Sequence, residues 1–445
     1  SAFCRTHQWQ VRIVAEGDRI LALLPPDTHP LGFAVDIGTT GLAAYLVDLL
    51  TGETLAVAGA TNPQIAYGED VMSRLAGVLR DPARGAVLQQ TLIHELNRLV
   101  DALCAEAAVT PDAIVSVCSV GNTAMHHLFW GLSVDHLGLA PYVPSCASAL
   151  STPARDLKLH VAPGATVYSP PCIAGFVGAD HVAMLLASDA QTREGVVLYL
   201  DIGTNTEISL TVNGAHWCCS AASGPAFEGA HIEHGMRAAN GAIDKVTWGD
   251  ERLQWSTIGE ATPIGICGSG IIDAVAVLRS HNVITHMGAF ERNHRLVRRE
   301  GSSSWVEIAN AAESYDNQPI VLSRADVGEI QMAKGAIRAG IKLLSEMAGI
   351  EETDIDCIIL AGAFGTYIDP VSARVIGLIP PLPLDRVQQV GNASGIGAKQ
   401  LVLDTKQREA ARRLVERIDY VELTTHPDFR DRYSQALRMA EDVWD

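Results

Sequence analysis

The sequence predicts an α/β protein built as two lobes of one plan. Three observations carry that expectation: a duplicated strand-turn-strand signature, a later strand in each half that ends in a Gly-bearing loop, and long helical periodicities in both halves. Phe33-Ala34-Val35-Asp36-Ile37-Gly38-Thr39-Thr40 returns as Leu198-Tyr199-Leu200-Asp201-Ile202-Gly203-Thr204-Asn205, an offset of 201 − 36 = 165 residues. Self-similarity of this kind decides the fold class before any single element does.

Residues 1–30 read as a short β-rich linker, 31–195 as the first lobe, and 196–445 as the second lobe with charged C-terminal helices. Each Asp-x-Gly-Thr copy is followed by a second apolar stretch and a Gly turn, Thr51-Gly52 or Asn213-Gly214, which is a β-meander drawn twice. Ile114 to Val120 then leads into Gly121-Asn122-Thr123-Ala124, and Cys357 to Leu360 leads into Ala361-Gly362-Ala363-Phe364-Gly365. Val87, Leu88, Leu92, Leu96, Leu99, Val100 and Leu103 recur at helical spacing, as do apolar residues from Ile330 to Met347, so both segments are expected as core-facing cover helices. Residues 406–418 and 431–443 are expected as amphipathic helices closing the second lobe, and the basic polar stretch 291–304 as a mobile surface loop.

A chain of 445 residues exceeds one ordinary core. With 48% hydrophobic and 19% charged residues it is neither disordered nor collagenous. Its 33 Lys and Arg against 51 Asp and Glu leave a formal charge of −18, which argues against nucleic acid or an anionic membrane as the main partner. No apolar run is long enough to span a bilayer and no signal peptide is evident. The nine scattered cysteines contain no C-x-x-C pair, so most are expected as buried thiols in a reducing cytoplasm.

An Asp at a strand end followed by Gly and hydroxyl residues places three tools together. The Gly permits close backbone approach, turn N–H groups and hydroxyls meet phosphate oxygens, and the carboxylate holds a hydrated Mg²⁺. Two equivalent copies can grip the phosphates of ATP from opposite sides. Asp36 and Asp201 are therefore the candidate catalytic and metal-holding residues, with Gly38, Thr39, Thr40, Gly203, Thr204 and Asn205 as phosphate contacts. Gly265-Ile266-Cys267-Gly268-Ser269-Gly270 opens an apolar helix and offers Gly268 and Ser269 to an anion. Gly362, Ala363 and Phe364 offer a Gly-lined surface for a purine.

This constellation resembles the actin, sugar-kinase and Hsp70 superfamily of ATPases, whose fold pairs two RNase H-like lobes. The match covers residues 31–400, with phosphate motifs at Asp36 to Thr40 and Asp201 to Glu207, an adenosine motif at Leu360 to Phe364, and a connecting motif at Gly391 to Ala398. Further stretches, Thr61 to Val71, Gly121 to His127, Ser223 to Gly229 and Ile266 to Gly270, are similar to the ATP-dependent reductive activators of corrinoid proteins. That resemblance implies reduction of Co(II) to Co(I) on a corrinoid protein of methyl transfer, with ATP and Mg²⁺ as cofactors and lobe closure controlling partner docking. It also implies a role for Glu228 beside the nucleotide. In the family an N-terminal [2Fe-2S] ferredoxin domain delivers the electron. No C-x₄-C-x₂-C run is present, so the [2Fe-2S] cluster is expected only in a missing N-terminal domain, with Cys4 its stranded ligand and the chain a truncated product. A homodimer is compatible with the family, although the short region before the ATPase core puts the family's dimer geometry in question.

His126 and His127 are adjacent on a helix and point about 100° apart, which argues against one shared ligand sphere. Two alternatives stand beside the main reading. A small-molecule kinase on the same fold would use Glu69, Asp70 or Asp180 as base, and a nucleotide-gated, chaperone-like binding protein would need no substrate chemistry. The activase of 2-hydroxyacyl-CoA dehydratases shares the fold but needs interface cysteines for which no convincing pair exists.

Overall fold

A computed structural model describes residues 2–440, apart from the side chain of Ala363. The chain forms two compact units, one of residues 1–192 with 392–418 and the other of residues 193–391 with 419–445.

The first unit opens with a hairpin of β1 (Arg12–Glu16) and β2 (Arg19–Leu24). Its sheet is built from β3 (Leu31–Ile37), β4 (Gly41–Asp48), β5 (Thr54–Thr61), β6 (Ile114–Gly121), β7 (Leu150–Pro153) and β8 (Thr166–Ser169), in the order β5-β4-β3-β6-β8-β7. β3, β4 and β5 form the expected antiparallel meander, while β6 runs parallel to both β3 and β8. β3 and β6 are apolar almost throughout because both their faces are covered. Helix Ala83–Glu106 turns Leu88, Leu92, Leu96, Leu99 and Leu103 into that core.

The second unit repeats the plan. β9 (Val196–Ile202), β10 (Thr206–Val212) and β11 (Ala215–Ala221) form the meander, and β18 (Cys357–Ala361) and β19 (Val387–Gly391) add on in parallel. The order β19-β18-β9-β10-β11 matches β8-β6-β3-β4-β5, and β20 (Ile418–Tyr420) closes the outer edge. The insertion between β11 and β18 carries a sheet of β12 (Ala242–Gly249), β13 (Arg252–Thr257) and β14 (Gly265–Ile266), then one of β15 (Val297–Glu300), β16 (Ser303–Ala309) and β17 (Ile320–Ser323). Helix Arg324–Ala348 packs on β10 and β11, a longer version of the helix expected from Ile330 to Met347.

Three expectations differ from the structure. Residues 392–418 belong to the first unit, not to an unbroken second lobe: helix Ala393–Leu403 lies on β3, β6 and helix Ala179–Ala187, and a Cβ at Gly397 would sit 2.0 Å from the Ala183 carbonyl oxygen. The 406–418 segment, expected on the second lobe, is helix Thr405–Val415 of the first unit, and Phe429–Ala436 is the helix of the second; residues 441–443 of that expected helix lie outside the described residues. Within the 1–30 segment, expected as a short β-rich linker, the β1–β2 hairpin is docked on the first core through Leu21 and Leu24, and Arg19 donates to Thr166. Part of 291–304 is a hairpin, β15–β16, where Val306 on β16 is fully buried.

Seven of the nine cysteines are buried and none forms a disulfide. Burial pushes the Cys118, Cys172 and Cys218 thiols up to about 12, which makes them inert packing groups.

Candidate functional site

The first Asp-x-Gly-Thr turn is assembled within the first unit. Asp36 lies near the end of β3, opposite Ala43 on β4 and Val120 on β6, so three strands fix its backbone. A Cβ on Gly38 would stand 2.6 Å from the Gly41 carbonyl oxygen, so the turn closes only with glycine there. Every carbonyl of residues 38–40 is tied back into the unit. Asn62 donates through its side-chain amide to Gly38 O at 2.8 Å and through its backbone to Thr40 O at 2.9 Å. Arg74 donates to Thr39 O at 2.5 Å. With the carbonyls held inside, an anion at the turn meets N–H and hydroxyl groups.

Arg74 is the unforeseen member of this site. It is fully buried on helix Val71–Arg80 and reaches Gly68 O at 2.8 Å and Gln64 Oε1 at 3.4 Å as well as the turn. Burial lowers its pKa to about 10, still a cation at neutral pH. Asn122 accepts the Met125 N–H as N-cap of helix Thr123–Trp130, which leaves its amide nitrogen to donate to Thr39 Oγ1 at 2.9 Å. The connecting motif arrives on the same side: Asn392 caps helix Ala393–Leu403 through Gly395 N and hydrogen-bonds Tyr45. Burial, and secondarily the charge of Asp36, hold the Tyr45 hydroxyl above its ordinary pKa.

The second turn belongs to the second unit. Asp201 pairs with Glu207 across the meander and with Ala361 of β18. Gly362 follows at φ +88°, and a Cβ there would lie 2.7 Å from Asp201 Oδ1. Only glycine lets the chain pass over that carboxylate. Ser223 donates toward the carbonyls of Gly203 at 3.2 Å and Thr204 at 3.3 Å. Thr204 donates its hydroxyl proton to Glu228, at the end of the short helix Pro225–Glu228.

The adenosine-motif residues gather beside this turn. The Phe227 and Phe364 rings stack at 5.8 Å, within 10° of parallel. Gly268 is pressed against both, since a Cβ there would fall 1.7 Å from Phe227 O and 2.3 Å from the Phe364 ring. Ser269 is buried and donates to Asp244 O at 2.8 Å, so its hydroxyl serves the fold. Ala363 lies outside the residues whose side chains are described. On helix Gly268–Ser280, Asp273 accepts from Ser372 at 2.7 Å, and burial raises its pKa to about 6.

The structure therefore sets Asp36, Gly38, Thr39 and Thr40 in one braced turn, and Asp201, Gly203, Thr204 and Asn205, with Glu228, Gly268, Gly362 and Phe364 around them, in the other unit. Sequence reasoning quoted Asn62, Asn122 and Ser223 only within family stretches and missed Arg74 and Tyr45. Asn122 had a signal, a polar residue directly after a buried strand and before a helix. Arg74 had none, because one arginine on an amphipathic helix reads as exposed.

Other candidates are spent elsewhere. The carboxylate of Asp70 caps helix Val71–Arg80 through Ser73 N at 2.8 Å, and Asp180 Oδ1 accepts the His181 N–H at 2.8 Å. His127 donates from Nδ1 to Thr123 O at 2.7 Å and accepts the Cys146 N–H at Nε2, so both its nitrogens are used in packing. Burial drives His126 down to about 3, which keeps it neutral. No group of three or more His, Cys, Asp or Glu suited to a metal ion is found among the described residues. No helix among them is long and apolar enough to cross a membrane.

Residues 195–444 match the family described as the C-terminal domain of RACo, the ASKHA domain, and residues 31–193 match the RACo middle region. The corrinoid activation enzyme RamQ of Eubacterium limosum is 35% identical, the alignment covering 98% of this chain and 75% of that protein. The [Co(II) methylated amine-specific corrinoid protein] reductase of Methanosarcina barkeri is 27% identical over 90% of this chain and 76% of its own. Among solved structures, a reductive activator for corrinoid, iron-sulfur protein superposes with a TM-score of 0.84 at 33% identity, covering 94% of this chain and 68% of that one.

Proposed function

We propose, from the premise that the chain belongs to the RACo family of corrinoid-protein reductive activators, that it couples ATP hydrolysis to the reduction of a protein-bound corrinoid from Co(II) to Co(I). One electron from a reductant enters the cobalt; ATP supplies no electron and acts by changing which conformation the partner binds. The observation that carries the nucleotide half of this reading is the glycine cradle at each turn. Gly38 lets the first turn close two residues after Asp36, a Cβ there falling 2.6 Å from the Gly41 carbonyl oxygen, and Gly362 lets the backbone pass directly over the Asp201 carboxylate.

In this reading Asp36 and Asp201 hold Mg²⁺ through its water shell. The metal, when bound, neutralises charge on the phosphates. Thr39 and Thr40, with the N–H groups of the first turn, bind phosphate oxygens, and Gly203, Thr204 and Asn205 do so from the second turn. Arg74 acts as a positioning residue: it touches the Thr39 carbonyl, not the nucleotide, and fixes the turn that does. Gly268 and Phe364 supply the surface for the base. The corrinoid protein binds one nucleotide state better than the other, because a ligand shifts an equilibrium only through differential affinity. Reciprocity then requires that the corrinoid protein alter nucleotide affinity by the same factor.

The test is steady-state Mg-ATP hydrolysis with and without a Co(II) corrinoid protein, with Co(I) followed by its absorbance. Stimulation by the corrinoid protein is expected. Asp201→Ala should lower hydrolysis about a hundredfold or more and remove nucleotide-dependent partner binding; unchanged hydrolysis in that variant sinks the role of Asp201. Phosphate transfer to a metabolite in place of corrinoid-stimulated hydrolysis would return the kinase reading.

A further inference from the structure

A second charged feature lies in the second unit, on chain that the nucleotide reading does not use. Helix Arg324–Ala348, helix Phe429–Ala436 and the segment 374–381 form a pocket of about 390 Å³ lined by Arg338, Lys342, Arg374, Arg432 and Arg438, with no carboxylate among the described residues of its lining. Five cations around one concavity are out of keeping with a chain of net charge −18. Like charges so close repel one another and persist only where something offsets them.

Two of the five are matched from behind. Arg338 makes a two-pronged pair with Glu352, and Arg432 pairs with Glu346 at 2.9 Å. Those carboxylates hold the two guanidinium planes in place without lining the pocket. The other three cations have no carboxylate partner among the described residues. Lys342 and Arg438 are exposed at the mouth. Arg374 reaches only the Leu382 carbonyl, at 3.4 Å from Nη1, and its Nε is buried with no hydrogen-bond partner among the described residues. A buried guanidinium N–H without an acceptor costs free energy until an acceptor arrives.

The lining also has an apolar part, Ile379, Pro381, Ala436 and Met439. The concavity is of the size that holds a metabolite, smaller than a protein footprint. Arginine forks match phosphate oxygens two at a time, and an apolar lining accepts the uncharged part of the molecule. We propose that this pocket binds a phosphate-bearing small molecule of at least two negative charges, at a site separate from both Asp-x-Gly-Thr turns. Arg374, Lys342 and Arg438 supply the attraction and Arg338 with Arg432 the fixed geometry.

The pocket is linked to the nucleotide-motif helix by one hydrogen bond. Arg374 is on helix Pro370–Val375, whose Ser372 donates to Asp273 on helix Gly268–Ser280.

The test uses the full chain and inorganic pyrophosphate as probe, with binding read by titration calorimetry. The Lys342→Ala/Arg438→Ala pair changes only exposed side chains and should fold normally. It is expected to weaken pyrophosphate binding tenfold or more and to leave the ATP titration unchanged. The control pair Arg298→Ala/Arg299→Ala removes two exposed charges from the β15 strand and is expected to bind pyrophosphate as the parent does. Equal loss in both pairs would mean general charge attraction and overturn the site, as would pyrophosphate binding that ignores the pocket pair. Succinate should bind at least tenfold more weakly than pyrophosphate; equal affinity overturns the assignment to phosphate.

Discussion

The turn after β3 and the turn after β9 share one sequence signature and both have carbonyls held by outside donors, Ser223 serving the second, but their threonine hydroxyls are used in opposite senses. Around the first, donors point into the turn: Asn62, Arg74 and Asn122 each give hydrogen atoms to its oxygens. Thr39 is an acceptor there, so its own hydroxyl proton remains to be given to a phosphate. Around the second, Thr204 is a donor, and its proton goes to the Glu228 carboxylate. A phosphate can take that proton only by displacing Glu228. Identical residues in a repeated motif therefore differ in readiness: the first turn is set to receive an anion, and the second must first release an internal bond.

The largest effect that would break this contrast is loss of Arg74. Arg74→Ala removes a buried cation with several carbonyl partners and leaves a cavity, at a cost of about 3 to 5 kcal/mol. Chemical denaturation followed by circular dichroism should show an early transition for the first unit with the second unit's transition in place. A single unshifted transition would show that the turn does not depend on this arginine.

Gly362→Ala tests the second turn in the same manner. Its added Cβ meets the Asp201 carboxylate, and the positive φ adds strain of about 1 to 3 kcal/mol. ATP hydrolysis should fall about a hundredfold, a loss of roughly 2.7 kcal/mol in transition-state stabilisation, while the circular dichroism spectrum stays as in the parent.

The acid response of the second unit is the next largest. Burial raises Asp273 from 3.8 to about 6 in the folded chain, so the folded state binds its proton more tightly than the unfolded state. The resulting stability is fully present below about pH 4 and is lost as pH rises through about 6, a difference of about 3 kcal/mol. Asp273→Asn should flatten that part of the stability profile measured by urea denaturation between pH 4 and 8. A slope unchanged by the substitution would assign the titration to another group.

The smallest effect sharpens the comparison most directly. Thr39→Val should weaken ATP binding about tenfold, the worth of one hydrogen bond to a charged group, whereas Thr204→Val should change it less than threefold because its proton is already engaged. Calorimetric titration with a non-hydrolysable ATP analogue measures both. Equal losses would mean that Glu228 yields to the nucleotide and that the two turns act alike.

Much of the fold was legible because it is periodic. A buried strand is a run of apolar residues, a meander is two turns at regular spacing, and the copy at Leu198 to Asn205 repeats that at Phe33 to Thr40. The glycines were legible for a related reason, since close approach of backbone to carboxylate tolerates no other residue. The allocation of helix Ala393–Leu403 to the first unit was not legible. Its sequence is apolar on nearly every face, and which sheet it covers depends on the path of the chain between Leu360 and Asn392.

By itself the sequence determined the duplication, the two acidic turns, the glycine loops and the family, because each is written in local spacing or direct likeness. Only the tertiary structure decided how the turns are held and where the unpaired charge lies. Arg74 arrives from 35 residues away to grip Thr39, and Glu228 from 24 residues away to take the Thr204 proton. The five cations of the pocket come from three separate segments. The physical reason is the same in each case: a side chain's charge and hydrogen-bonding capacity are fixed by its type, but its partner is fixed by packing, and packing joins residues that no local pattern connects.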